Sequence, residues 1–284
     1  MDALSAQVLG CDFSSSPSRR KPVVVALGQL QGDVVRLDGF ERFTDLDEWA
    51  RWLAADGGWT GGFDLPFGLP RELVQQLGWP QDWRACMQHY AGLSRAEIRD
   101  TFAAFCQRRP AGGKFAHRAT DGPAGSSPSM KWVNPPVAFM LHAGVPRLLR
   151  AGLHLPGLNV TDSPKVGLEA YPGLLARAIV GRASYKSDDA TRQTAERAGA
   201  RQRIVQAVLD GAHPLQLALL TKPVQQALLV DDASGDHLDA VLCMLQAAWA
   251  LRRRLAGDVL YGLPAGMDPL EGWIVSAPWP PGAR

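Results

Sequence analysis

Asp12, Asp64 and Glu169 each close an apolar, strand-like run, VLGCD, GGFD and VGLE, and each is followed by a turn-forming stretch, FSSSP, LPFG and AYPG. Asp236 and Asp239 open an Ala-rich segment, GDHLDAVLCMLQAAWALRRR, with helical spacing. In open α/β sheets, ligands bind where strands end and the chain turns. Carboxylates gathered there repel one another unless a cation lies between them. Hard oxygen donors select Mg²⁺ or Mn²⁺. The chemistry such a set suits is two-metal hydrolysis of a phosphodiester.

Each acid also has a plainer reading. Asp12, before Ser14, Ser15 and Ser16, suits an Asx or serine turn. The same serines supply hydroxyl and N–H groups able to hold a phosphate. Asp64 lies between Phe63 and Leu65, so a charge falls at the end of a buried strand and needs a partner or a metal. Glu169 fits simple strand alternation. Asp236 and Asp239 are three apart on one helical face and also suit a helix start. Of the two, Asp239 is the first candidate for a metal ligand. Ala240, Cys243 and Ala247 continue that face with small side chains. They are expected to pack on a sheet, with Ala248 off the contact. Arg118, in KFAHRATD, and Lys186, in SYKSDD, are candidate phosphate-binding cations, and His117 and Asp121 stand beside Arg118 in second rank.

The elements that must position these residues follow from pattern. Residues 6–13, 22–28 and 33–40 read as three strands joined by short turns, hence an antiparallel meander. Thr44 is expected to cap a helix over DLDEWARWLAA. A strand containing Asp64 follows, and the order β-β-β-α-β brings the first and fourth strands together in a mixed sheet. Residues 70–106 are helical in pattern. Residues 107–136 read as a long Gly-, Pro- and Ser-rich loop, expected to be mobile and to close over a polyanion with Arg108, Arg109, Lys114, His117, Arg118 and Lys131. Helical pattern resumes over 137–155. A fifth strand, KVGLEAY, precedes a helix with Pro172 near its start. Helices are expected over 190–210 and 213–229, and a last one from Asp236 to Leu255.

The chain has 284 residues, a net charge of +2 and no internal repeat, so one domain is expected over 1–284 with helical insertions around 70–160 and 187–230. The near-neutral balance argues neither for nor against a polyanionic partner. The clusters Arg19–Arg20–Lys21, Arg108–Arg109 and Arg252–Arg253–Arg254 read as solvated faces. Four scattered cysteines without a CxxC pair fit a reduced, cytoplasmic setting. No apolar run approaches a membrane span, so no membrane association is expected. The sequence holds no HExxH, GxSxG, GxGxxG or GxxxxGK-[ST] motif, which sets aside the chemistries those motifs carry.

The ordered set GCDFSSSPSRRKPVVVA, FDLPFGLP, LEAYP, SYKSDD, GDHLDAVLCMLQAAW and EGWI resembles an uncharacterised bacterial family of predicted nucleases with a ribonuclease H-like fold, from Gly10 to Ile274. That resemblance implies a mixed five-stranded sheet ordered 3-2-1-4-5. It places acids of the first strand, the fourth strand and the last helix on Asp12, Asp64 and Asp239, with Asp236 nearby. Glu169 matches the family's own pattern. The implied activity is hydrolysis of nucleic acid, DNA or RNA, with Mg²⁺ or Mn²⁺. Asp12 would bridge the metals, Asp64 and Asp239 would each hold one, and Glu169 would add a ligand or orient water. The alternatives are a nucleotide-binding phosphotransferase or ATPase of the actin-like fold, and a binding protein that kept the fold without the chemistry.

Overall fold

The computed structural model describes residues 6–279. Six strands form one mixed sheet in the order β5-β4-β1-β2-β3-β6. Strands β1 (Ala6–Asp12), β2 (Val23–Gln31) and β3 (Val34–Phe43) form the expected antiparallel meander. β4 (Trp59–Phe63) runs parallel to β1, and β5 (Lys165–Glu169) runs parallel to β4. The expected five-strand order is therefore incomplete. A short β6 (Ala218–Leu220) adds in parallel to the outer edge of β3. Residues 213–229 are thus not one helix. Pro223 instead starts helix α9 (Pro223–Asp231) after the strand.

One face of the sheet is covered by α1 (Leu46–Ala54) and by the group α2 (Arg71–Gln76), α3 (Trp83–Ala91), α4 (Arg95–Gln107) and α6 (Val137–Arg150). Trp49 and Leu53 of α1 are fully buried against Leu9, Cys11 and Phe63. Helix α1 is capped by Asp45, not Thr44; its carboxylate accepts hydrogen bonds from the Asp47 and Glu48 amides. The other face carries α7 (Pro172–Val180), α8 (Ala195–Leu209), α9 and α10 (Asp236–Leu255).

Helix α10 lies directly on β1, β2 and β4. It is buried around its whole circumference: Ala240, Cys243 and Ala247 are fully buried, and so are Val241, Leu245 and Ala248. A helix apolar on every side belongs inside the core. Ala248 is therefore not on a free face, and leucine there is no milder a change than leucine at Ala240.

The stretch expected as a mobile loop is packed. It contains the short helix α5 (Asp121–Ala124), and Ala116, Thr120, Ser129 and Met130 are buried. All four cysteines are buried free thiols. Among the described residues, no helix is long and apolar enough to cross a membrane.

Candidate carboxylate site at the strand ends

Parallel pairing of β1 with β4 sets Cys11 beside Phe63, so Asp12 and Asp64 leave the sheet side by side. The Asp64 amide donates to the Cys11 carbonyl at 2.9 Å. Two glycines bring the third acid to them. A Cβ on Gly10 would collide with the backbone of Ala240 and Met244, and one on Gly62 with the Cys243 carbonyl. Only glycine lets α10 rest on the strands at this distance. The first turn of α10, with Asp236 and Asp239, then comes to the edge where β1 and β4 end, and its dipole favours those carboxylates.

Asp12, Asp236 and Asp239 are buried, and Asp64 is partly buried. Burial pushes the Asp12 carboxyl well above its ordinary range; Asp239, Asp236 and Asp64 push the same way against Lys186. Burial also raises Asp64, to about 7, with Lys186 opposing and Asp239 and Glu169 reinforcing. Asp239 is raised by burial and by Asp236, against the opposing pull of Lys186 and Tyr185. The site thus holds more negative charge than its own surroundings accommodate.

Part of that charge is met by lysine. The Lys186 ammonium is bonded to one oxygen of Asp239, and the Tyr185 hydroxyl donates to the other at 2.5 Å. Burial opposes the charge on Lys186, but Asp239 and Asp12 hold it protonated. Lys21 bridges Asp188 at 2.7 Å and Asp236 at 3.0 Å. Lys21 is therefore a site residue and not part of a solvated face. Its signal in the sequence was masked by the neighbouring exposed Arg19 and Arg20. Among the described residues, no group of three or more His, Cys, Asp or Glu is disposed to hold a metal ion as the side chains stand. Asp239 and Asp236 are turned to lysines instead.

Ser14 and Ser15 lie in the turn after Asp12. Arg95 of α4 anchors this turn through the Ser15 carbonyl at 2.5 Å and the Ser16 hydroxyl at 2.9 Å. Arg95 had no distinguishing mark in the sequence.

Glu169 lies close enough to Asp64 to raise it but is directed to different partners. It stands opposite Phe63 in the β4–β5 pairing, so it shares the Phe63 face of the sheet, while Gly62 and α10 occupy the other. Both its oxygens are engaged. Arg118 donates to them at 2.7 and 2.8 Å, and the Phe67 amide donates at 2.9 Å. Arg118 spends its remaining N–H groups on Asp121 and the Glu271 carbonyl. All five donors of this guanidinium are used internally. Arg118 thus has no donor left for a phosphate, while Glu169 keeps one acceptor position, on Oε1, beyond the three bonds it makes.

The raised pKa of Asp64 has a consequence for stability. Its unfolded value is near 3.8 and its folded value about 7. Stability from this group is complete below about pH 4 and is lost as pH rises through 7. We expect Asp64→Asn to come closest to the wild type near pH 4 in chelator and to melt at least about 3 °C higher at pH 8. Parallel melting curves at both pH values would overturn this. The depressed His142, His154 and His213 cancel in the comparison because both proteins carry them.

No family model, no curated protein and no solved structure matches this chain. The mixed α/β sheet and its carboxylate edge therefore define the class of the molecule from its own geometry.

Proposed function

We propose that this chain hydrolyses phosphodiester bonds in nucleic acid, with a divalent cation held by Asp12, Asp64 and Asp239. The observation that carries the reading is the convergence of these three carboxylates at adjacent strand ends and a helix start, where burial and mutual repulsion leave them short of positive charge. A hard, all-oxygen donor set suits Mg²⁺ or Mn²⁺. Support for a ribonuclease H-like arrangement comes from the meander β1-β2-β3 and from β4 and β5 added in parallel beyond β1; β6 lies outside that five-strand set.

In this reading Mg²⁺ or Mn²⁺ supplies a lowered pKa for water and neutralises charge on the leaving oxygen. The chain contributes the rest. Asp12 and Asp64, fixed by the β1–β4 pairing, set the positions of two carboxylates. Tyr185 orients Asp239 through its hydroxyl. Lys186 lies between the acids and can meet a phosphate oxygen when it leaves Asp239.

Lys186 and Lys21 also favour a second reading, a binding protein whose carboxylates are neutralised by its own lysines. Calorimetric Mn²⁺ titration separates the two. We expect wild-type binding, at least about tenfold weaker binding in Asp12→Asn, and about a thousandfold loss of Mn²⁺-dependent cleavage of a labelled oligonucleotide in that variant. Equal Mn²⁺ binding by Asp12→Asn, Asp64→Asn and wild type would remove the metal site. No binding by the wild type would leave the second reading.

A further inference from the structure

A cavity of about 550 Å³ opens beside the carboxylates, with Asp64 and Lys186 in its wall. Its lining is of two kinds. Asp64, Lys186 and Arg182 are charged. Leu65, Pro66, Val137 and Met140 are apolar. Arg118 and Glu169 reach the wall already paired with each other. Arg177 is tied to the carbonyls of Ala124 and Gly125. Arg182 is different: it is exposed and makes no hydrogen bond or ion pair among the described residues. The cavity lining thus combines an exposed cation without an internal partner, charged groups shared with the acids, and apolar side chains.

A volume of this size is that of a small-molecule site, roughly 300–1,000 Å³. It admits one nucleotide unit and excludes a duplex. We propose that the cavity receives a single unpaired nucleotide of the strand: its base packs on Leu65, Pro66, Val137 and Met140, and its phosphate lies between Arg182 and the carboxylate edge. This deepens the nucleic-acid reading above and rests on it. Duplex substrates would then need the nucleotide extruded, at the expense of unstacking, whereas a single strand or an unpaired end would enter directly. The apolar lining suits a base, because every base has a π-face and apolar side chains do not select among them.

The test uses the full chain in Mn²⁺ and fluorescence anisotropy of a short dye-labelled single strand and of its blunt duplex. The single strand should bind at least about tenfold more tightly than the duplex. Val137→Trp, which adds bulk to the apolar lining, should weaken single-strand binding at least about tenfold while Mn²⁺ affinity, titrated in parallel, stays within about twofold. Arg182→Glu, an exposed change that leaves the fold intact, should weaken it similarly and more strongly at low salt. Equal or tighter binding of the duplex, or unchanged single-strand binding in both variants, overturns the cavity assignment even if Mn²⁺ binds. A wild type that binds no Mn²⁺ but keeps the strand preference and its loss in Val137→Trp overturns the metal reading alone and supports the cavity.

Discussion

Replacing Gly10 with alanine is expected to abolish soluble folding or to lower the melting temperature by more than about 10 °C. The added methyl has no side chain to push aside. It meets the Ala240 carbonyl oxygen and the Met244 amide nitrogen, both in the backbone of a helix that is itself buried on all sides. Relief requires α10 to lift from β1, which opens contacts with β2 and β4 as well. Gly39→Ala is the control, because nothing lies within 4 Å of a Cβ at that position. It should change stability by no more than about 0.5 kcal/mol. Melting of Gly10→Ala within about 2 °C of wild type would show that α10 adjusts easily. The third acid would then not be fixed by this contact.

Arg118→Met should be the second large effect, through charge and not shape. It leaves Glu169 and Asp121 buried and facing one another without their shared cation. Removing one partner of a buried ion pair costs about 3–5 kcal/mol. A fall in melting temperature of about 10 °C at pH 7 is expected. The loss should shrink toward pH 4, because burial raises the Glu169 carboxyl and its protonated form no longer needs the arginine. Glu169→Gln in the Arg118→Met background should recover part of it. A phosphate-binding Arg118 would give the opposite pattern: near-normal melting and weakened binding of nucleic acid. That outcome would remove the structural role assigned here.

The comparison between these two residues shows what the sequence could carry. Asp12 and Asp64 were visible because an acid ending an apolar run is a local pattern, and short meander turns fixed which strands were neighbours. Glu169 had the same local pattern. What sets it apart is strand parity within the β4–β5 pairing and a partner in Arg118 that is distant along the chain, and neither is local. Gly10 and Gly62 precede Asp12 and Asp64 by two residues, as Gly167 precedes Glu169. The repeated Gly-x-acid spacing was present but ambiguous. At Gly10 and Gly62 it admits α10, while at Gly167 a Cβ would meet Leu155 and Leu153. The small-residue pattern of α10 suggested one packed face. Its other sides are covered by α7, α9 and the segment after the helix, which a helical wheel cannot anticipate. β6 was missed because three residues of PLQLALLTKP suit either element, and only the open edge of β3 decides between them.

The place of α10 in the core also orders events during synthesis. Asp12 and Asp64 leave the ribosome early, and Asp239 follows more than 200 residues after Asp12. At typical elongation rates that interval is roughly 10–45 s. Throughout it, the face of β1, β2 and β4 that receives α10 has no cover, and the notches at Gly10 and Gly62 stand open. The carboxylate edge is therefore completed late, when one helix seals the apolar surface and brings its last acid in the same movement. A nascent chain has the early strands without the site.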